Sequence, residues 1–378
     1  MSPRLLLVRR TASQLLDRRS GGGLEPAVRT LLAVQAQDKN AWRLALRARV
    51  DGVTAADIDL ALTDRRSLLV AWFNRGTLHL IASEDYPWLL GLTAPTQVTS
   101  NSRRLAQLGF TPDEADRGVA RIEQALLNDG PLSRSQIRER LQSAGIRTEG
   151  QAMVHLLFAT VIRGLAVMGP AGPGGQLFAH TREWLGVDPV TPGSLGGERR
   201  DTALAELARR YLLGHGPATA ADLAKWSGLP LRDARAGLRS VAAELVELEG
   251  GLLDLADRKP SALELEARWL NEPLPPRLLP GFDPCMLGWR EREPFVLPAD
   301  DGLVVEKGGG FFRAVATVDG VAASTWSIRR RAGGVEIGVE PFRPLDADAS
   351  AALRREAEDV ARFEGRSLVE RAPVPTNL

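Results

Sequence analysis

Cysteine is almost missing from this chain, with Cys285 alone among 378 residues. A single cysteine excludes an intrachain disulfide framework and any cysteine-cluster metal site. Histidine is nearly as scarce, and the four, at 79, 155, 180 and 215, show none of the short spacings of zinc ligands. No metal and no cofactor is implied. No apolar run approaches the roughly 18–20 residues of a membrane span, and MSPRLLLVRR is too short in its apolar part for a secretory signal. The expectation is a cytoplasmic protein with no membrane partner. Lysine is rare too: positions 39, 225, 259 and 307 are the only lysines among 48 basic residues. An arginine bias of this kind fits high-GC codon usage and bidentate phosphate binding equally well. The net charge of +1 announces no nucleic-acid partner, but its distribution is uneven. Residues 1–50 carry ten Lys or Arg against three Asp or Glu.

What is present is material for packed cores, 44% hydrophobic against 25% charged, in a chain long enough for two to four modules. An internal repeat organises the first two thirds. GPLSRSQIRERL from Gly130 and GPATAADLAKWS from Gly216 share Gly-Pro, then Ser133 or Thr219 as an N-cap, then Ile137 or Leu223 four residues on. Each predicts a short helix. Second helical patterns follow at 149–163 and 231–241, and then paired apolar runs around glycine turns, LAVMG with QLFAH and LVELE with LLDLA.

Helix, turn, helix and two-stranded wing make a winged helix. The N-terminal part fits the same template, with helical patterns at 11–18, 26–34 and 54–62 before the runs SLLVAWF and TLHLIA. From about residue 271 the texture changes to a proline-rich connector, short strands with glycine turns, and a charged helix over 346–364. The expected fold is α+β, mainly α. It comprises three tandem winged-helix units (1–95, 96–190, 191–270), linkers near 94–111 and 188–197, and a small C-terminal β-rich domain (271–378).

Within LLAVQAQDKN, Gln35 and Gln37 stand two apart just past a helical pattern, a spacing that puts side chains on one side of an extended segment. Taken alone, the pair reads either as caps for the end of the 26–34 helix or as a functional pair of amides. Fold alone leaves nucleic-acid binding open, since winged helices also serve as regulators and protein-interaction modules.

Five strings in series, AVQAQD (33–38), RGTLHL (75–80), RYLLGHGPAT (210–219), LLPGFD (278–283) and GGGFFRAVATVDG (308–320), resemble one family. It is the tandem winged-helix DNA glycosylases of the AlkZ-like, azinomycin-resistance and crosslink-unhooking type. The resemblance implies a C-shaped array of winged helices around DNA, with Gln35 and Gln37 facing the scissile glycosidic bond. It also implies a substrate of double-stranded DNA carrying N7-alkylguanine adducts or crosslinks, and release of the base by water to leave an abasic site. A guanine alkylated at N7 leaves as a neutral base, so amides that place a water and face a developing sugar cation can suffice. A non-catalytic tandem winged-helix DNA binder or regulator is the alternative. The modular array already supplies a cleft, so a monomer is expected.

Around the motif, Asp38 reads as structural, His79 as a satisfied strand histidine, and Trp72 and Phe73 as core. Arg75 is assigned to DNA binding, with fixing of the wing turn as the equal alternative. Arg329, Arg330 and Arg331, on a predicted hairpin, are assigned to phosphate contact. The glycines 308–310 are not a phosphate loop, lacking GK[ST] and a βαβ context. Pro284 stands where the family often carries an acid after LLPGFD.

Overall fold

The structure, a computed structural model, describes residues 1–38, 40–172, 175–257, 260–306 and 310–369, with the side chains of 260–262 left aside. Lys39 and two of the three glycines at 308–310 therefore lie outside the described residues.

The repeat signals hold. Ser133 and Thr219 cap helices Arg134–Ser143 and Ala220–Ser227, each through a reciprocal capping box, with Gln136 and Asp222 as the return partners. Second helices Ala152–Ile162 and Leu231–Ser240 follow, then hairpins Ala166–Gly172 with Gly175–His180 and Leu245–Leu248 with Leu252–Leu255. In the N-terminal part, helix Ala55–Thr63 is boxed by Thr54 and precedes the hairpin Leu68–Trp72 with Leu78–Ala82.

Several expectations are corrected. The first helix is Pro3–Ser13 rather than 11–18, because Ser2 caps it, Pro3 opens it and Leu15 turns away at φ 57°. Helix Ala41–Arg47 was not expected. The segment 94–111 is no linker: helix Tyr86–Gln107 runs through it and across the 95/96 boundary. Pro95 removes one hydrogen bond without ending that helix, since Leu92, Ala94, Gln97, Asn101 and Leu105 keep its buried face continuous. Between Leu185 and Gly197 the chain carries no helix or strand.

The first two hairpins do not stand apart. Val70 pairs with Met168, joining them and the short strand Val34–Gln35 into one five-stranded sheet with Val34–Gln35 at its edge. Strand Leu68–Trp72 is buried along its whole length, so both of its edges need a partner. The third hairpin forms its own two-stranded sheet. Helix Gly197–His215 packs on helix Leu24–Leu31 so closely that a Cβ at Gly214 would stand 2.4 Å from the Thr30 carbonyl oxygen.

The C-terminal part is a five-stranded sheet ordered Leu368–Val369, Gly334–Pro341, Val321–Arg331, Val315–Val318, Arg277–Leu279, with helix Ala347–Phe363 packed on it. Arginines dock it to the N-terminal part. Arg47, wholly buried, reaches Glu356, Asp359 and the Leu278 carbonyl. Arg49 holds Asp283 through two hydrogen bonds of 2.9 and 2.6 Å, both side chains wholly buried. Burial alone would raise the Glu356 carboxyl, yet Arg47, Arg19 and Arg277 beside it hold it below the ordinary carboxylate range. Of the nine arginines in residues 1–50, eight have intramolecular partners: Arg4, Arg9, Arg10, Arg19, Arg29, Arg43, Arg47 and Arg49. The basic bias of this segment is an internal framework.

Candidate active site

The motif is placed by an abrupt end to helix Leu24–Leu31. Leu32 sits at φ 62°, ψ −51°, and the Ala33 N–H donates back to the Leu31 carbonyl at 2.8 Å. This is a γ-turn of the strained positive-φ form, held here on a leucine that is itself wholly buried. The turn throws the chain into extended backbone. Val34 and Gln35 then pair antiparallel with Leu80 and His79, and the Ala36 N–H donates to the Leu78 carbonyl at 2.7 Å.

The two amides end in different surroundings. Gln35 is half-buried, and its Oε1 is buried with no hydrogen-bond partner. Gln37 is exposed, and its Oε1 accepts from the Leu78 N–H at 3.3 Å. Neither amide caps the preceding helix. An unpaired buried acceptor is costly.

Asp38 Oδ1 accepts from the N–H groups of Asn40 and Ala41 at 2.8 and 3.0 Å, so it caps the next helix, the structural role expected of it. His79 is buried, with Nδ1 2.9 Å from the Thr77 carbonyl oxygen. Burial, aided by the charge of Arg75, pushes its pKa down to about 3, so it stays neutral near pH 7. Trp72 and Phe73 are core.

Arg75 has partners within the protein. Its Nη1 donates to the carbonyls of Lys225 and Trp226, at 3.0 and 2.5 Å, in the last turn of helix Ala220–Ser227. A cation there satisfies orphan carbonyls and complements the helix dipole. Arg75 thereby ties the first hairpin to the third helical unit. Arg329, Arg330 and Arg331 end strand Val321–Arg331 and are exposed, but acids stand beside them. Arg330 makes two hydrogen bonds to Glu364, at 2.9 and 2.6 Å, while Arg329 and Arg331 lie 3.8 and 3.6 Å from Glu336.

Next to the motif lies a groove of about 500 Å³ between Asp38 and Asn40 on one side and the C-terminal sheet on the other. Phe282, Phe311, Phe312 and Arg330 also line it. The sequence displayed these phenylalanines inside the strings LLPGFD and GGGFFRAVATVDG, yet nothing local says that the two strings meet. A second feature missed is the exposed face of helix Leu231–Ser240, where Arg232, Arg235 and Arg239 recur at helical spacing. Among the described residues no group of three or more His, Cys, Asp or Glu can hold a metal ion, and no helix is long and apolar enough to cross a membrane.

The family model described as "DNA glycosylase AlkZ-like" matches residues 28–363. An interstrand DNA cross-link repair glycosylase of Streptomyces sahachiroi is 26% identical over 376 residues, covering 97% of this chain and 96% of that protein. The solved structure of the Streptomyces sahachiroi DNA glycosylase AlkZ superposes with a TM-score of 0.74 at 24% identity, covering 98% of this chain and 99% of that one. At that identity the likeness carries the fold: mixed α and β with a C-terminal sheet.

Proposed function

The chain belongs to the AlkZ-like DNA glycosylase family, and we propose that Gln35 and Gln37 place a water against the N-glycosidic bond. The observation that carries this reading is the Gln35 Oε1, a buried amide oxygen without a partner at the edge of a sheet. An amide oxygen accepts a hydrogen bond from water and turns its dipole to a developing oxocarbenium ion, but it is no strong base. Such a site suits leaving groups that need no acid, which are cationic N7-alkylguanines. The substrate is double-stranded DNA with bulky or crosslinked N7 adducts, and the setting is crosslink repair or self-resistance to an alkylating natural product. The relative named for interstrand cross-link repair supports that setting. With a glycosylase family established, the regulator reading falls away.

The arrangement proposed is three tandem winged helices and a β-rich C-terminal domain, divided as in the sequence, with helix Tyr86–Gln107 shared across the first boundary. The three helix-pair-plus-hairpin units support it. The experiment is single-turnover release of an alkylated guanine from a duplex oligonucleotide, scored with and without alkali. The expected product is an abasic site with an intact strand, since the motif places no described amine at the site to form a Schiff base. Strand cleavage without alkali, abolished in Lys39→Ala, would assign a different class of glycosylase.

For DNA contact, Arg329 and Arg331 remain on one exposed face with a single shared carboxylate, Glu336. Replacing both by glutamate should weaken duplex affinity and lower the salt slope by roughly 0.9 per lost phosphate contact. A titration over salt that leaves affinity and slope unchanged would make Glu336 their only partner.

A further inference from the structure

Two motifs far apart in sequence converge on one side of the groove that Asp38 and Asn40 line on the other. Gly281 lets the LLPGFD turn lie against the strand leading from Phe312: a Cβ there would stand 2.6 Å from the Phe312 carbonyl oxygen. Phe282 follows at φ 58°, a conformation that a bulky L side chain rarely adopts. Its neighbour Asp283 is locked to Arg49 inside the protein, which holds the turn in place. The Phe282 ring meets Phe311 edge-on, at 5.5 Å and 85°, and Phe312 at 5.8 Å and 55°. Phe311 nevertheless remains 47% exposed. Packing alone does not explain a strained turn that presents one aromatic ring to another left facing solvent.

These rings line the groove of about 500 Å³ whose other side is Asp38 and Asn40, one and three residues past Gln37. A methyl group on guanine N7 needs no such room, whereas a groove of this size matches a ligand of small-molecule dimensions. We propose that Phe282 and Phe311 form an aromatic shelf that receives the flat, apolar part of a bulky N7 substituent. The alkylated base itself sits at Gln35 and Gln37. The shelf rests on the glycosylase reading of those glutamines and sets which adducts the site prefers. Stacking on exposed ring faces is tolerant of the partner's polar pattern, so the preference is for flatness and apolar area rather than for one compound.

The test compares wild type with Phe311→Ala and Phe282→Leu on two duplexes, one bearing 7-methylguanine and one bearing guanine alkylated at N7 by an aryl nitrogen mustard. Single-turnover release and equilibrium binding are read in parallel. The ratio of bulky to small adduct should fall roughly tenfold in both readouts for Phe311→Ala, the size of one lost stacking contact. Phe311 is at the surface, so its removal leaves the fold in place, and Phe282→Leu keeps the apolar volume while removing the ring. Equal losses on both duplexes would make the rings a general DNA contact, and no loss on either would make them packing; either overturns the shelf. Binding separates the shelf from the glutamine chemistry. A wild type that releases neither base, yet binds the bulky adduct with a Phe311-dependent preference, upholds the shelf and sinks the catalytic reading.

Discussion

Gln35→Ala and Gln37→Ala should each slow release of an N7-alkylguanine by ~10² to 10³, the scale of losing one positioned polar group in a transition state, while duplex affinity stays close to wild type. The structure gives the two losses different origins. Gln35→Ala removes the buried, unpartnered Oε1, so it takes away the acceptor itself. Removing a group that already lacks a partner also relieves an unsatisfied site, and Gln35→Ala should not lower the melting temperature. Gln37→Ala removes an oxygen that accepts from the Leu78 N–H, so a small loss of stability, about 1 kcal/mol, should accompany its rate loss. The double variant should cost less than the product of the single effects, since both amides act on one water. Single-turnover rates and thermal melts on the same preparations decide the matter. Full activity in both single variants, with only Gln37→Ala destabilised, would mean that the amides shape the edge strand and nothing more.

Legibility in the sequence followed the distance over which each feature is decided. Caps are decided within four residues, and Thr54, Ser133, Thr219 and Asp346 each open the helix that the sequence predicts. The two-residue spacing of the glutamines correctly excluded a helix through Gln37, but the γ-turn at Leu32 that causes the break was not readable. A leucine holds φ 62° only because residues from elsewhere bury it completely. The arginines were the hardest to place. Arg47 and Arg49 look like a basic face until Glu356 and Asp283 arrive from the far end of the chain, and Arg75 looks like a phosphate ligand until helix Ala220–Ser227 brings its last carbonyls to it. Charge patterning along a chain shows where the ions are and is silent on which are already neutralised. The groove has the same character, since its aromatic side is made from positions 282 and 311 and its other side from 38 and 40.

Asp283→Ala should be the most destabilising single substitution among the ion pairs, at about 3–5 kcal/mol, because it strands the Arg49 guanidinium where no water reaches it. Set against a total of roughly 5–15 kcal/mol for a folded protein, that is enough to populate unfolded chain at ambient temperature. The loss is confined to neither partner. Arg49 also donates to the Ala45 carbonyl and to Gln14 Oε1, each at 3.0 Å, and Gln14 in turn donates to the Gly214 carbonyl at 2.6 Å. Asp283 further accepts from the Cys285 N–H at 2.9 Å. One buried pair therefore joins the first helix, the third helical unit and the LLPGFD turn. Breaking the exposed pair Arg182 with Asp188 should cost no more than about 1 kcal/mol, being screened by solvent. Replacing both buried partners, as Arg49→Met with Asp283→Leu, should recover most of the stability, since it removes the desolvation penalty together with the attraction. Urea unfolding of the single, double and control variants provides the comparison, and a single variant no weaker than the exposed-pair control would refute it. The double variant also isolates positioning from folding. It should keep the fold while freeing Phe282 from the neighbour that holds its strained turn, so its preference for bulky over small adducts should fall even though most of its stability is recovered.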